Sequence, residues 1–140
     1  MMMRSLLLFL LLISLAHSIY SQKSFEQWKA SQKGTYFYLN IFDDSTFVLL
    51  KSKDTLVGNH MIYNNEITKS KINVDTLSKP HKLDLVIYDA NMTTVVFQYL
   101  GIFEMLGKQK MRVRFDFGEG KRPEHFQPLG NPETLLFIKQ

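Results

Sequence analysis

The side chains best suited to chemistry are His81, the neighbours Glu124 and His125, the doublet Asp43-Asp44, and the cationic row Lys108, Lys110, Arg112 and Arg114. An imidazole beside a carboxylate can exchange protons near neutral pH. Adjacent residues often point apart, however, and Glu124-His125 reads as a solvated loop. His81 has no acid or nucleophile at a recognisable spacing. His60, His81 and His125 share no metal-ligand spacing, so no metal is expected. Asp43-Asp44 falls between two apolar runs and reads as a turn. There is no glycine-rich phosphate loop, nucleophile elbow or cofactor fingerprint. The pattern points away from an enzyme, and no cofactor is expected.

The cationic row has two readings. Alternate residues along a strand project on one side. The row is then either a solvated face neutralised by cross-strand acids such as Asp84 or Glu104, or a docking strip for an anionic glycan, lipid headgroup or acidic protein. The first is preferred.

Strands must carry these residues. Over residues 109–117, Met111, Val113, Phe115 and Phe117 alternate with Lys110, Arg112, Arg114 and Asp116, which requires one buried and one solvated face. Residues 82–89 place Leu83, Leu85 and Ile87 on one face. Residues 93–104 group Val95, Phe97, Tyr99 and Phe103. Residues 67–77 turn Ile72 and Val74 inward. Further strands are predicted over 35–42, 46–51, 56–63 and 132–139, which makes eight. Turn signals separate them at Asp43-Asp44-Ser45, Asn64-Asn65, Asp89-Ala90-Asn91, Gly107 and Gly118-Glu119-Gly120. Before them, the spacing of Phe25 and Trp28, with Ser24 as a cap, predicts a short N-terminal helix over residues 24–31 that Gly34 ends. The expected fold is all-β: an eight-stranded antiparallel up-and-down barrel with that helix against one end.

Three segments fall in order between the strands: Lys79-Pro80, Gly101-Ile102-Phe103 and Arg122-Pro123-Glu124-His125-Phe126. Their order resembles a family of uncharacterised bacterial lipocalin-like domains, exported or envelope-associated. In that family a Lys/Arg-Pro segment leads into a strand, Gly-Ile-Tyr/Phe ends one, and Arg-Pro-x-x-Phe closes the domain. The resemblance runs from Gly34 to Ile138 and implies a small antiparallel barrel with no established activity. Gly34-Thr35-Tyr36 stands where lipocalins carry Gly-x-Trp, with Tyr in place of Trp. The resemblance implies that a late arginine, here Arg122, packs over the Tyr36 ring and bonds to nearby backbone. Gly34, Tyr36, Pro80, Gly101, Arg122, Pro123 and Phe126 are thus expected to be structural.

The interior carries the functional expectation. Phe97, Tyr99, Phe103, Met111, Val113 and Phe115 are the candidate lumen residues, with the Tyr99 hydroxyl as one polar tip. A barrel of this size either fills itself with side chains or holds one small ligand. An open lumen predicts a small hydrophobic ligand; a filled one predicts an interaction module acting through its outer surface, with a protein partner that the sequence does not name.

Arg4, the apolar run from Leu6 to Ala16, and the small residues Ala16 and Ser18 form the three parts of a secretory signal peptide. Spanning a bilayer takes roughly 20 apolar residues, and His17, Ser18, Ser21 and Gln22 interrupt the run. The expectation is a signal peptide over residues 1–21, cut after Ser18 or Ser21, and one domain over residues 22–140. That domain is secreted or periplasmic, with no stable membrane insertion after cleavage. With no cysteine, neither a disulfide nor a lipidated cysteine is available. The formal charge of +4 is mild, and no nucleic-acid partner is expected. Intact mass of protein from an envelope or secreted fraction should give a chain beginning at Ile19 or Gln22. A full-length, membrane-embedded species would contradict the signal-peptide reading.

Overall fold

The computed structural model describes residues 24–58, 61–117, 119–129, 131 and 133–140. The expected signal peptide lies outside the described residues. Period-two alternation yields twelve strands among them: β1 (Ser24–Gln32), β2 (Thr35–Phe42), β3 (Phe47–Lys51), β4 (Asp54–Gly58), β5 (Ile62–Tyr63), β6 (Glu66–Ile67), β7 (Lys69–Asp75), β8 (His81–Tyr88), β9 (Val95–Tyr99), β10 (Gly101–Met105), β11 (Lys110–Phe115) and β12 (Thr134–Lys139). Ten of them form one antiparallel sheet in the order β4-β3-β2-β1-β12-β11-β10-β8-β7, with β9 paired to β8; β5 and β6 form a separate hairpin.

The sheet curls strongly, because one face carries nearly all the large apolar side chains and must hide them. Leu39, Phe47, Leu49, Val113, Phe115 and Phe137 are buried together in the resulting core. The curl brings β7 and its flank against Ser45, the start of β3 and Met61 through five short bonds. Ser70 Oγ donates to Phe47 O at 2.9 Å and accepts from Phe47 N at 3.0 Å. Ile72 N donates to Ser45 O at 2.9 Å. Thr68 donates to Met61 O through its amide at 2.7 Å and through its hydroxyl at 2.9 Å. Thr68 and Ser70 are fully buried, and a buried hydroxyl without such partners would be costly.

The expected N-terminal helix is instead strand β1. The three-residue spacing of Phe25 and Trp28 fits a helix, but Trp28 and Ala30 also fit a period of two, and both are buried. A helix this short is marginal in water. As a strand, the segment pairs with β2 on one side and β12 on the other, with Lys29 opposite both Tyr38 and Ile138. Glu26 secures it, accepting from Lys139 Nζ at 2.9 Å and from the Trp28 indole at 3.0 Å. Burial alone would raise the Glu26 carboxyl; the Lys139 bond, the Trp28 bond and the Lys139 charge together hold it below the usual range.

Other expectations shift in detail. The strand expected over residues 93–104 breaks at Leu100 into β9 and β10. Asp116 occupies the break, its carboxylate accepting from Leu100 N at 2.8 Å and its amide donating to Leu100 O at 2.9 Å. The strand expected over 56–63 divides into β4 and β5. Val74 and Val95 are exposed rather than inward. Val74 lies on β7 beyond the Ser70 and Ile72 bonds to the β3 side, and Val95 opens β9, which among the described strands is laddered to β8 alone. Phe117 leaves the alternation through a positive φ of 47° and is partly exposed.

Among the described glycines, Gly101 is the most closely approached. A Cβ there would lie 2.6 Å from Leu83 O and 2.8 Å from the Phe115 ring. Gly101→Ala should therefore lower stability by about 1–3 kcal/mol, the ordinary cost of overpacking. Urea denaturation of the two proteins checks this, and an unchanged midpoint would contradict the close approach.

Candidate functional site

The segment between β11 and β12 runs across the outer face of β10 and β11, held by three arginines. Arg122 is bound as a fork: Nη1 and Nη2 donate to the two Asp84 oxygens at 2.5 and 2.8 Å, and Nη1 also donates to Gly101 O at 2.8 Å. The Asp84 bond, followed by the charges of Asp84, Asp116 and Asp75, holds the guanidinium above its ordinary pKa against the opposing effect of burial. Arg114 donates to His125 O at 2.8 Å and to Glu133 Oε2 at 2.6 Å. Arg112 Nε donates to Glu104 Oε2 at 2.7 Å while its guanidinium lies 4.2 Å from the centre of the Phe126 ring. Between these tethers Ile102 is buried although it lies outside the interior cluster.

These contacts settle where the sequence candidates sit. Arg122 does not carry the Tyr36 ring; the cation over that ring is Lys29 Nζ, at 4.5 Å. Tyr36 faces outward on β2, and Gly34 occupies the positive-φ turn before it. Pro80 leads into β8 after a cis peptide bond. Pro123 and Phe126 are half-buried along the outer segment. Arg112 and Arg114, half of the cationic row, are consumed by Glu104 and Glu133, whereas Lys108 and Lys110 remain exposed. Glu124 and His125 have exposed side chains on the same segment.

Of the six candidate lumen residues, Tyr99, Phe103, Met111, Val113 and Phe115 are buried in the main core, and Phe97 packs against it. Phe97 and Tyr99 meet edge to face at 4.7 Å, and Tyr99 continues to Phe115 and Phe117. Burial first, and then the Asp116 charge, push the Tyr99 hydroxyl upward, so it stays neutral.

A partly open apolar cavity of about 180 Å³ lies where the curl opens beneath the β5–β6 hairpin. Val57 and Ile87 are buried in its wall; Thr68, Val96 and Phe97 line its sides; Met61, Ile62 and Tyr63 form its rim. The Asn64-Asn65 turn, with φ of 49° and 65°, folds the hairpin back on itself. Met61 is pinned by the two Thr68 bonds to its carbonyl and by Gly58 N on its sulfur at 3.2 Å. None of these lining side chains carries a charge, and the Thr68 hydroxyl is already spent. The cavity can accept an apolar group and offers nothing to a charged one. Sequence alternation named Phe97 and Ile87 as inward, yet it had no signal for the space left between them and the hairpin.

No protein-family profile, curated protein or solved structure matches the chain.

Lysine in place of Arg122 retains the charge but cannot bind both Asp84 oxygens and the Gly101 carbonyl together. Arg122→Lys should therefore cost about 1.5–3 kcal/mol, the range for hydrogen bonds to charged groups. Thermal melts would show this as a lowered Tm; an unchanged Tm would mean that the outer segment is not held by this fork.

Proposed function

We propose that this protein is an exported, lipocalin-like binding module that holds the apolar part of one small ligand in the cavity beneath the β5–β6 hairpin. In this reading the curled sheet works as a barrel, with the Thr68 and Ser70 bonds as its seam. The observation that carries the proposal is the uncharged, apolar lining of the cavity around Val57, Ile87, Val96 and Phe97. A dry cavity of about 150 Å³ is large enough for benzene, so a space of about 180 Å³ suits a small ring or the end of an alkyl chain. In this reading the wider lumen is not the site, since Phe103, Met111, Val113 and Phe115 are packed in the core. Ligand orientation then falls to the rim, where Tyr63 is exposed, rather than to Tyr99.

A second reading has its own support. The dense packing of Leu39, Phe47, Leu49 and Phe137 also fits a module that takes no ligand and acts through its outer surface.

Titration with toluene, decanol and glycerol, following the methyl resonances of Val57, Ile87 and Val96, separates the two. Saturable shifts with the apolar pair and none with glycerol are expected. Val96→Phe should fill the cavity and weaken toluene binding at least tenfold while near-ultraviolet circular dichroism stays unchanged. Absence of saturable shifts with either apolar probe would favour the packed module.

A further inference from the structure

A second concave site lies at the other end of β8. His81 and Ile87 stand six residues apart on that strand, about 20 Å at roughly 3.3 Å per residue. The groove near His81 therefore does not connect to the apolar cavity. Its volume is about 590 Å³, within the range of roughly 300–1,000 Å³ usual for small-molecule sites. Pro80, Phe103 and Phe126 supply apolar surface, with His81, Arg112 and His125 between them and Lys79, Glu104 and Glu124 at the edges.

Charge does not select the ligand here. The Arg112 guanidinium is paired with Glu104 and stacked on Phe126. Lys79 and Glu124, both exposed, are of opposite sign. A neutral molecule suits this balance better than an anion or a cation.

Direction comes from His81. Its Nδ1 lies 2.9 Å from Ser78 O. A carbonyl oxygen can only accept, so Nδ1 carries the proton, and in the neutral ring Nε2 is left as an acceptor. Among the described residues no protein group is bonded to Nε2, and it is not among the buried unpaired atoms, so it is open to solvent. The same imidazole packs against Phe103, centroid to centroid at 5.4 Å and tilted by 46°. Aromatic and proline walls, charges of both signs that offset one another, and an acceptor at His81 beside the Phe103 ring match a flat ring bearing a single O–H donor.

We propose that this groove binds a neutral phenol-type aromatic. Its ring lies among Pro80, Phe103 and Phe126, and its hydroxyl donates to His81 Nε2.

The test uses phenol, anisole and benzoate on the wild-type protein, following the His81 imidazole resonances. Phenol should bind saturably and shift His81. Anisole has the same ring but no donor, and it should bind about five-fold more weakly, as loss of one ordinary hydrogen bond predicts. Benzoate should bind no better than anisole. His81→Ala, with its fold checked by near-ultraviolet circular dichroism, should bring phenol down to the anisole level and leave anisole unchanged. Equal binding of phenol and anisole, tighter binding of benzoate, or no saturable shift at His81 would each overturn the proposal. Because wild-type phenol and anisole decide the matter by themselves, a His81 variant that misfolds does not remove the test. The readout at His81 is also separate from the methyl shifts at Val57 and Ile87, so either site can fail alone.

Discussion

Ser70 Oγ sits where a backbone ladder would otherwise have to run. The ten-stranded sheet ends in β4 and β7, and as it curls β7 comes against the start of β3, where a buried backbone group left unpaired would be expensive. Ser70 answers with one hydroxyl that both donates to and accepts from Phe47. Thr68 adds two bonds to a single carbonyl, that of Met61. Side-chain bonds allow the ends to approach without full strand pairing, and the shape of the interior follows from that. Where β7 meets β3 the core is dense, with Phe47 and Leu49 fully buried. Beyond Thr68, where the chain detours through the β5–β6 hairpin, packing stops short and leaves the apolar cavity.

The outer face obeys a different constraint. The described residues of the segment between β11 and β12 form no strand, and charged side chains tie it to the sheet, among them Arg112 and Arg114 from β11. The strongest tie runs the other way, from Arg122 in the segment to Asp84 and Gly101 O on the sheet, since a bidentate guanidinium fixes orientation as well as distance. Arg114 supports the same segment and has its side chain only 17% exposed, so the near-neutral behaviour expected of an outward strand residue does not extend to it. The segment also creates the groove at His81, because Phe126 and His125 face Pro80 and Phe103 only when it is docked. The shape of that groove and the Arg122 fork thereby depend on the same segment.

Much of the sheet was legible from alternation. Strands β2, β8 and β11 fall to within a residue or two of the bounds expected of them, with Leu83, Leu85 and Ile87 inward on β8 and Met111, Val113 and Phe115 inward on β11. The first strand was not legible, since Phe25 and Trp28 fit a helical spacing while Trp28 and Ala30 fit a period of two, and only the place between β2 and β12 decides between them. Arg122 was legible as a residue that spends its donors, but its partner was not. Asp84 lies on the opposite side of the sheet order from Tyr36, and pairing across that distance is set by strand order. The cavity was the least legible feature. Val57, Thr68, Ile87 and Phe97 come from four strands or their flanks, and inward alternation gives direction without telling which positions leave volume behind.

Xenon at moderate pressure, located by crystallography or by methyl shifts, reports empty apolar space without requiring a matched ligand. A single xenon site bounded by Val57, Ile87, Val96 and Phe97 is the predicted result, with none among Val113, Phe115, Leu135 and Phe137. Xenon deep among those last residues, or no site near Phe97, would contradict an interior that is filled everywhere except beneath the β5–β6 hairpin.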